Sequence, residues 1–292
     1  MTAGNHDSFS PVPSPSPQDE DTDAGKSVNF PVVNVVQFSD PHLFTDKAHC
    51  LLGMNTEDSF QQVLALLTEE QPDRELLLIT GDIAQAPSPQ TYQRFYEAVS
   101  ALETPHYWLQ GNHDLDAMFN DSRHTPSCIT PCVIERSNWT ILMLNSSVDH
   151  EVAGRFSRSE LEWLENQLQL SHGRHVMVTM HHHPLPVGSA WLDHHMLAET
   201  RKFWAVIDRF PNVRAIVHGH VHQAVDKLYG RVRILGCPST CIQFKPGSRE
   251  FALDKRPPGY RWLNLMPDGR IETAVSRLDK IPPGVDFESL GY

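Results

Sequence analysis

Metal-ligand residue types follow the ends of several apolar segments in this sequence. Each apolar run has the length of a strand and stops abruptly, as at a tight turn. A single stop of this kind is usually an ordinary turn, whereas five in one chain predict a shared site at strand ends. The five blocks are Asp40-Pro41-His42, Gly81-Asp82, Gly111-Asn112-His113-Asp114, His181-His182-His183 and Gly219-His220-Val221-His222.

The ligand types in these blocks predict a site for two metal ions. One four- or six-coordinate ion that also binds water needs fewer groups, so the set suits two ions that share a bridging carboxylate. Oxygen and imidazole ligands without thiolate favour Mn, Fe, Zn or Co. Two ions about 3.5–4 Å apart can clamp the attacking and leaving oxygens of a phosphoryl centre, and a hydroxide bridging them would be the nucleophile. The candidate ligands are Asp40, His42, Asp82, Asn112, His181, His220 and His222.

His113 is the candidate general acid. It is adjacent to a ligand without obviously being one, and we expect it to protonate the departing alkoxide, with Asp114 or a neighbour orienting its ring. The histidine run before Pro184 also has a plainer interpretation, because three such residues at a strand end could form a solvated turn.

Composition excludes several classes of protein. The chain of 292 residues can hold one large domain or two small ones. A net charge of −12 argues against a nucleic-acid binder, which needs a basic face. The longest apolar runs are strand-sized, so we expect no membrane partner. The N-terminus lacks the pattern of a signal peptide, and we therefore expect a cytoplasmic protein.

The cysteines form an odd, scattered set. Two C-x3-C pairs fall within zinc-ligand spacing, but both lie in loop-like sequence. A disulfide framework is not expected in a long chain without an export signal, so we predict free thiols. The residues are Cys50, Cys128, Cys132, Cys237 and Cys241.

Hydrophobic periodicity predicts strands that alternate with helices. Strands are predicted at 32–38, 75–80, 106–110, 139–144, 175–180 and 213–217, and helices at 56–69, from 89 onward, at 158–170 and at 199–210. Hairpins are predicted at 224–235 and 260–277. The segment 1–27, rich in Pro, Ser and acidic residues, is predicted to be disordered. The whole pattern is typical of a layered α/β architecture.

The five blocks, in this order, resemble the calcineurin-like binuclear metallophosphoesterases. Other passages resemble the bacterial 3′,5′-cyclic-AMP phosphodiesterases, the class III cyclic-nucleotide phosphodiesterases. These passages are residues 38–44, residues 51–56, the run 181–186 with Trp191-Leu192-Asp193, and Pro238-Ser239-Thr240-Cys241. The resemblance implies a four-layer α/β/β/α sandwich of two mixed sheets. We predict a catalytic domain over 28–280, between the tail 1–27 and a C-terminal extension, 281–292.

The resemblance implies a role for each candidate residue. Asp40, His42 and His222 would bind one metal, Asp82 would bridge, and Asn112 and His220 would bind the other. Pro184-Leu185-Pro186 places the remaining ligand at His181, whereas a register one residue later would make it His182. The substrate phosphate would contact His42, Asn112, His113 and His181.

The implied reaction is hydrolysis of 3′,5′-cyclic AMP to 5′-AMP by a metal-bridging hydroxide, with iron or manganese favoured over zinc or cobalt. The base would sit in a pocket lined by the loop around Trp191 or by the C-terminal hairpins. Two alternatives are a related phosphodiesterase with another substrate and a non-catalytic, metal-dependent nucleotide sensor. We expect a monomer or homodimer.

Overall fold

Two facing β-sheets form the centre of the fold. The computed structural model describes residues 30–115 and 130–291, so the predicted disordered tail lies outside the described residues. The first sheet has the order β13-β12-β1-β4-β5. Its strands are β1 (Val33–Phe38), β4 (Leu76–Thr80), β5 (His106–Leu109), β12 (Gly259–Leu265) and β13 (Ile271–Arg277).

The second sheet has the order β10-β11-β9-β8-β7-β6. Its strands are β6 (Cys132–Arg136), β7 (Trp139–Met143), β8 (His175–Met180), β9 (Val213–His218), β10 (Val225–Tyr229) and β11 (Val232–Gly236). A short ribbon of β2 (Cys50–Leu51) and β3 (Met54–Asn55) lies outside both sheets. The sequence analysis did not predict β6 or this ribbon.

Parallel pairing brings the carboxyl ends of the central strands to one edge of each sheet. Strand β4 pairs in parallel with β1 and β5. In the second sheet β8 pairs in parallel with β7 and β9, and β9 with β11. The two predicted hairpins are confirmed as the antiparallel pairs β10–β11 and β12–β13, and they extend one edge of each sheet.

The helices cover the outer faces of the sheets. They are α1 (Thr56–Glu70), α2 (Pro89–Ser100), α3 (Arg158–Leu170), the short α4 (Ala190–Asp193) and α5 (Thr200–Ile207). The predicted N-cap at Ser88 and capping box between Ser157 and Glu160 are confirmed. Helix α5 is shorter than predicted: it begins after Glu199, which adopts a left-handed φ of 50°, and ends at Ile207. No described helix meets the length and hydropathy needed to cross a bilayer.

Three hydrophobic clusters separate the layers and confirm the predicted four-layer sandwich. One lies between the sheets and joins residues such as Leu78 of the first to Ile141 of the second. A second packs the first sheet against α1 and α2, through Phe60 and Phe95, and a third packs the second sheet against α3 and α5. Nearly every position of the central strands is buried, as expected of strands covered on both faces.

The cysteines follow the prediction in part. Cys50, Cys237 and Cys241 are free thiols, and the last two are buried. Cys132 is disulfide-bonded, so the prediction of a free thiol was wrong there; Cys128 lies outside the described residues. Burial raises the pKa of the Cys241 thiol to about 12.

The segment after residue 280 runs across the ribbon of β2 and β3. The backbone amide of Asp286 donates to the carbonyl of Leu52 at 2.9 Å. Ile281, Val285 and Phe287 pack against a fourth apolar cluster, as does Trp191. The division of the chain into a catalytic domain and a C-terminal extension stays a prediction.

Candidate metal centre

All seven predicted ligands lie together at the facing carboxyl edges of the two sheets. Strands β1, β4 and β5 of the first sheet lead into three of the blocks, and β8 and β9 of the second sheet lead into the other two. Within the described residues, four sets of metal-ligand atoms each fall within 4.8 Å of one another. The sets are Asp40 with His42 and His222, Asp40 with Asp82 and His181, His42 with Asp82 and His113, and His181 with His182 and His220.

The backbone is left-handed at five of these seven residues. The φ angles are 55° at Asp40, 48° at His42, 50° at Asp82, 66° at His220 and 48° at His222. Non-glycine residues rarely adopt this region, and such conformations persist where the surrounding structure enforces them. Here neighbouring loops supply that constraint, because the amides of Asp40 and His42 donate to the carbonyls of Gly81 and Asp82, each at 3.0 Å. The main chain therefore turns these side chains inward.

Two glycines allow the loops to approach one another. A Cβ atom on Gly111 would collide with the carboxylate and the backbone amide of Asp82. A Cβ atom on Gly219 would collide with the hydroxyl of Ser39 and would crowd the carboxylate of Asp40. Glycine at these two positions lets the carboxylates enter the cluster.

Three imidazoles are oriented through their Nδ1 atoms. Nδ1 of His181 lies 2.7 Å from the carbonyl oxygen of Thr80, and Nδ1 of His222 lies 2.8 Å from that of Ile242. Nδ1 of His42 lies 2.7 Å from Oε1 of Gln85. Because these partners are acceptors, Nδ1 carries the proton in each neutral ring and the Nε2 lone pair faces the cluster. Outer hydrogen bonds of this kind are typical of metal-ligating histidines.

The ligand atoms that face the centre of the cluster are hydrogen-bond acceptors lying close together. A cation among them would offset their mutual repulsion. Nε2 of His42 lies 3.1 Å from Nε2 of His222, although both carry lone pairs. Nε2 of His181 faces two oxygens, Oδ1 of Asn112 at 3.2 Å and Oδ2 of Asp82 at 3.4 Å. Acceptors this close to one another are stabilised by a positive charge placed among them.

The pKa shifts agree with that interpretation. Burial lowers the pKa of His42 to about 3, so its ring is neutral and available as a ligand. At His181 burial opposes the charged form, but the attraction of Asp82 outweighs it and raises the pKa to about 9. A proton on His181 is thus one way to satisfy the facing carboxylate, and a metal cation is another.

His220 and Asp40 are the remaining two ligands of the set. Nε2 of His220 is buried and has no hydrogen-bond partner among the described residues. The amide of His220 donates to both carboxylate oxygens of Asp40, at 3.1 and 3.2 Å, and fixes that side chain. The donor set is nitrogen and oxygen throughout, so it fits two hard or borderline divalent ions.

Two members of the histidine run, His181 and His182, offer ring nitrogens to the candidate ligand sets. Both ring nitrogens of His182 lie near protein groups, with Nδ1 2.9 Å from Oγ of Ser146 and Nε2 3.1 Å from the carbonyl oxygen of Val152. His181 keeps Nε2 for Asp82 and Asn112. The contacts therefore favour His181 over His182 as the ligand, and the run is a buried part of the site rather than a solvated turn.

His113 lies beside the cluster, but Asp114 does not orient it as the sequence analysis suggested. The ring of His113 meets that of His42 edge-on, with centroids 4.9 Å apart, and is half-buried. The carboxylate of Asp114 instead accepts hydrogen bonds from four donors. These are the amides of Ile83, Ala84 and Gly111 and the hydroxyl of Tyr92. Asp114 therefore holds together the loops that follow β4 and β5.

The Pro238-Ser239-Thr240-Cys241 passage supports the first ligand block. Oγ of Ser239 donates to the carbonyl oxygen of Asp40 at 2.7 Å and accepts from the amide of Cys241 at 2.8 Å. Together with Gln85, Thr80 and Ile242, this passage contributes to the site without providing a ligand. The sequence carries no spacing signal for such supporting groups, because they come from distant loops.

Comparisons with known proteins agree with this geometry. The model of the calcineurin-like phosphoesterase family matches residues 33–224. The chain is 41% identical over 261 residues, 89% of this chain and 95% of the relative, to the 3′,5′-cyclic adenosine monophosphate phosphodiesterase CpdA of Vibrio vulnificus. It is 37% identical over 260 residues, 89% of this chain and 95% of the relative, to the protein of the same name from Pseudomonas aeruginosa.

Two solved structures show the same fold at low sequence identity. A dimetal phosphatase from Danio rerio is 13% identical with a TM-score of 0.58, over 85% of this chain and 99% of that one. A purple acid phosphatase from yellow lupin is 12% identical with a TM-score of 0.59, over 88% of this chain and 53% of that one.

Proposed function

This chain belongs to the calcineurin-like phosphoesterase family, and on that premise we propose that it is a phosphodiesterase that hydrolyses 3′,5′-cyclic AMP to 5′-AMP. The observation that carries the proposal is the convergence of seven buried or half-buried ligand groups at facing sheet edges. Identity of 37–41% to proteins named as cyclic-AMP phosphodiesterases, over nearly the full length of both chains, supports the choice of substrate.

We assign the ligands to two ions. Asp40, His42 and His222 would hold the first, Asp82 would bridge, and Asn112, His181 and His220 would hold the second. The sets of ligand atoms within 4.8 Å, together with the 3.2 Å contact between Nε2 of His181 and Oδ1 of Asn112, support this division. Iron or manganese is the favoured pair, with zinc or cobalt as alternatives; all four ions accept imidazole and oxygen ligands.

The reaction adds water to phosphorus and breaks the bond to O3′. A bound pair of divalent ions supplies an activated water and Lewis-acid stabilisation of the phosphoryl centre. Four positive charges against the carboxylates of Asp40 and Asp82 leave a local excess, which attracts a phosphodiester anion to a chain with a net charge of −12.

The chain's own residues position the phosphate and supply a proton. We expect the phosphate to contact His42, Asn112, His113 and His181, as the family resemblance implies. His113 is half-buried and lines the cavity beside the cluster, so its ring is accessible to a substrate bound there. It would donate its proton to O3′ as that oxygen leaves. A cytoplasmic location and a monomeric or homodimeric state stay predictions.

Alanine substitution of two ligands tests the proposal. Asn112→Ala and His220→Ala should each abolish hydrolysis of cyclic AMP while leaving the circular dichroism spectrum unchanged. Elemental analysis should show loss of metal in both. His172→Ala is the matched control, because His172 is exposed at the end of α3 and should leave metal content and turnover unaltered. Full activity in either ligand variant would contradict the assignment.

A substrate panel separates the alternatives. The kcat/KM values for cyclic AMP, cyclic GMP, 2′,3′-cyclic nucleotides and bis(p-nitrophenyl) phosphate should rank cyclic AMP first. A higher value for another diester would indicate a related phosphodiesterase. Binding of cyclic AMP without turnover in manganese or iron buffer would indicate a sensor.

A further inference from the structure

A cavity beside the candidate metal centre has one polar end and one apolar end. Its volume is about 220 Å³. Asn112, His113 and His220 line the polar end, where the phosphate would bind. The other lining residues are Val152, Trp191, Leu192, His195 and Phe244. The volume is below the range of about 300–1,000 Å³ common for ligand pockets, so this space suits one small ring system rather than a polymer.

The indole of Trp191 is held in place by the residues behind it. It meets the ring of Phe244 edge-on, with centroids 4.9 Å apart, and that of Phe251 at 5.1 Å. Its Nε1 donates to Oγ of Ser248 at 3.3 Å. Phe244 in turn stacks on the candidate ligand His222 at 4.1 Å and 10°. The aromatic wall of the cavity is therefore in direct contact with the metal centre.

A second connection fixes helix α4, which carries Trp191. The carboxylate of Asp193 accepts hydrogen bonds from the amides of Val187 and Gly188, at 2.7 and 3.1 Å. It also lies 3.6 Å from Nε2 of the buried His183. The ring of His183 stacks on that of His220 at 5.7 Å and 22°. The apolar end of the cavity thus keeps its position relative to the phosphate end, as a preorganised subsite requires.

His195 adds a polar group to the apolar end. It is half-buried, and burial together with the neighbouring His194 lowers its pKa, so the ring is neutral near pH 7. A neutral imidazole presents one donor and one acceptor. A purine edge carries both kinds of group, so it can form a hydrogen bond with this ring in either orientation.

We propose that Trp191 and His195 form the subsite for the nucleobase and give this enzyme its preference for nucleotides over base-free phosphate esters. Trp191 provides the aromatic surface on which the base stacks, and His195 provides a hydrogen bond to its edge. This inference rests on the proposed function of the adjoining metal centre. It makes both residues determinants of specificity rather than catalytic residues.

Competitive inhibition by two products tests the subsite without requiring cyclic AMP as the substrate. The assay follows hydrolysis of bis(p-nitrophenyl) phosphate by the manganese-loaded protein, with 5′-AMP and ribose 5-phosphate added as inhibitors. The two inhibitors share the phosphate and the ribose, and only 5′-AMP carries a base. The measured quantity is the ratio of the two inhibition constants, in the native chain and in Trp191→Leu, Trp191→Phe and His195→Ala.

In the native chain 5′-AMP should bind about 5- to 150-fold more tightly than ribose 5-phosphate, the range that base–aromatic stacking provides. Trp191→Leu should remove most of this preference and leave the constant for ribose 5-phosphate unchanged, whereas Trp191→Phe should retain much of it. His195→Ala should weaken 5′-AMP by about 2- to 10-fold. Trp163→Leu is the matched control, because Trp163 is half-buried on α3 against the third cluster.

Each outcome decides between the two proposals. Equal inhibition by the two compounds in the native chain, or a preference that survives Trp191→Leu, would overturn the nucleobase subsite. Failure of the native chain to hydrolyse cyclic AMP, with the preference for 5′-AMP intact, would overturn the proposed reaction and support the subsite. Loss of inhibition by both compounds in Trp191→Leu, with an unchanged melting temperature, would show that Trp191 acts on the phosphate end, and this also overturns the subsite.

Discussion

The role of the His113 side chain should be separable from metal binding, because the side chain and the backbone amide make different contacts. The backbone amide donates to Oδ1 of Asp82 at 2.8 Å, and this bond does not depend on the side chain. The half-buried ring lines the cavity beside the cluster. His113→Ala should therefore keep the metal content and the fold of the native chain while it removes the proton donor.

The expected loss in kcat for cyclic AMP is about 100- to 10,000-fold, the usual contribution of general acid–base catalysis. This range corresponds to about 2.7–5.5 kcal/mol in activation free energy. The loss should depend on the leaving group. The 3′ alkoxide needs a proton as it departs, whereas p-nitrophenolate is a stable anion. Hydrolysis of bis(p-nitrophenyl) phosphate should accordingly fall by less than about tenfold in the same variant.

Steady-state kinetics on both substrates, with elemental analysis of each preparation, checks this prediction. Equal losses on the two substrates would show that His113 binds the phosphate or organises the site rather than donating a proton. Loss of metal from His113→Ala would show that it is a ligand. Either result would refute the assignment of a general acid.

Three further predictions concern packing and accessibility. Gly111→Ala should lower metal content and turnover by at least about tenfold, because the new methyl group collides with Asp82, whereas Gly291→Ala, with open space around it, should change neither. Iodoacetamide should modify the exposed Cys50 in the folded protein and should modify the buried Cys237 and Cys241 only after unfolding. Mass spectrometry counts the labelled thiols, and rapid labelling of all three would contradict the burial of Cys237 and Cys241. Arg261→Met should lower the free energy of unfolding by about 2–4 kcal/mol, because the buried guanidinium donates to main-chain carbonyls of β10 and β11; an unchanged denaturation midpoint would contradict this role.

The strand ends could be predicted from the sequence because each apolar run stops at a distinctive polar block. That pattern predicted that Asp40, Asp82 and His220 share one site. Parallel pairing brings Asp40 and Asp82 to one edge of the first sheet, and His220 comes from the facing edge of the second. The left-handed backbone at these residues was not predictable, because Asp and His, although enriched in this region, adopt it at only a small share of their positions. Tertiary contacts between loops impose it.

The choice between His181 and His182 also depended on distant residues. Their sequence contexts are nearly equivalent, and a shift of one residue exchanges them. The contacts differ because the carbonyl of Thr80 orients one ring and Ser146 engages the other. The role suggested for Asp114 was wrong for a similar reason: its four donors belong to two neighbouring loops and an adjacent helix that the local sequence does not reveal.

The distance in the chain between His42 and His222 has a consequence for stability. Their Nε2 atoms meet across 180 positions of sequence. An ion that both residues bind would act as a reversible cross-link, closing most of the polypeptide into a ring and restricting the unfolded chain as a long-range disulfide does. Cellular metal supply would then govern how long the folded enzyme survives, in addition to how fast it works.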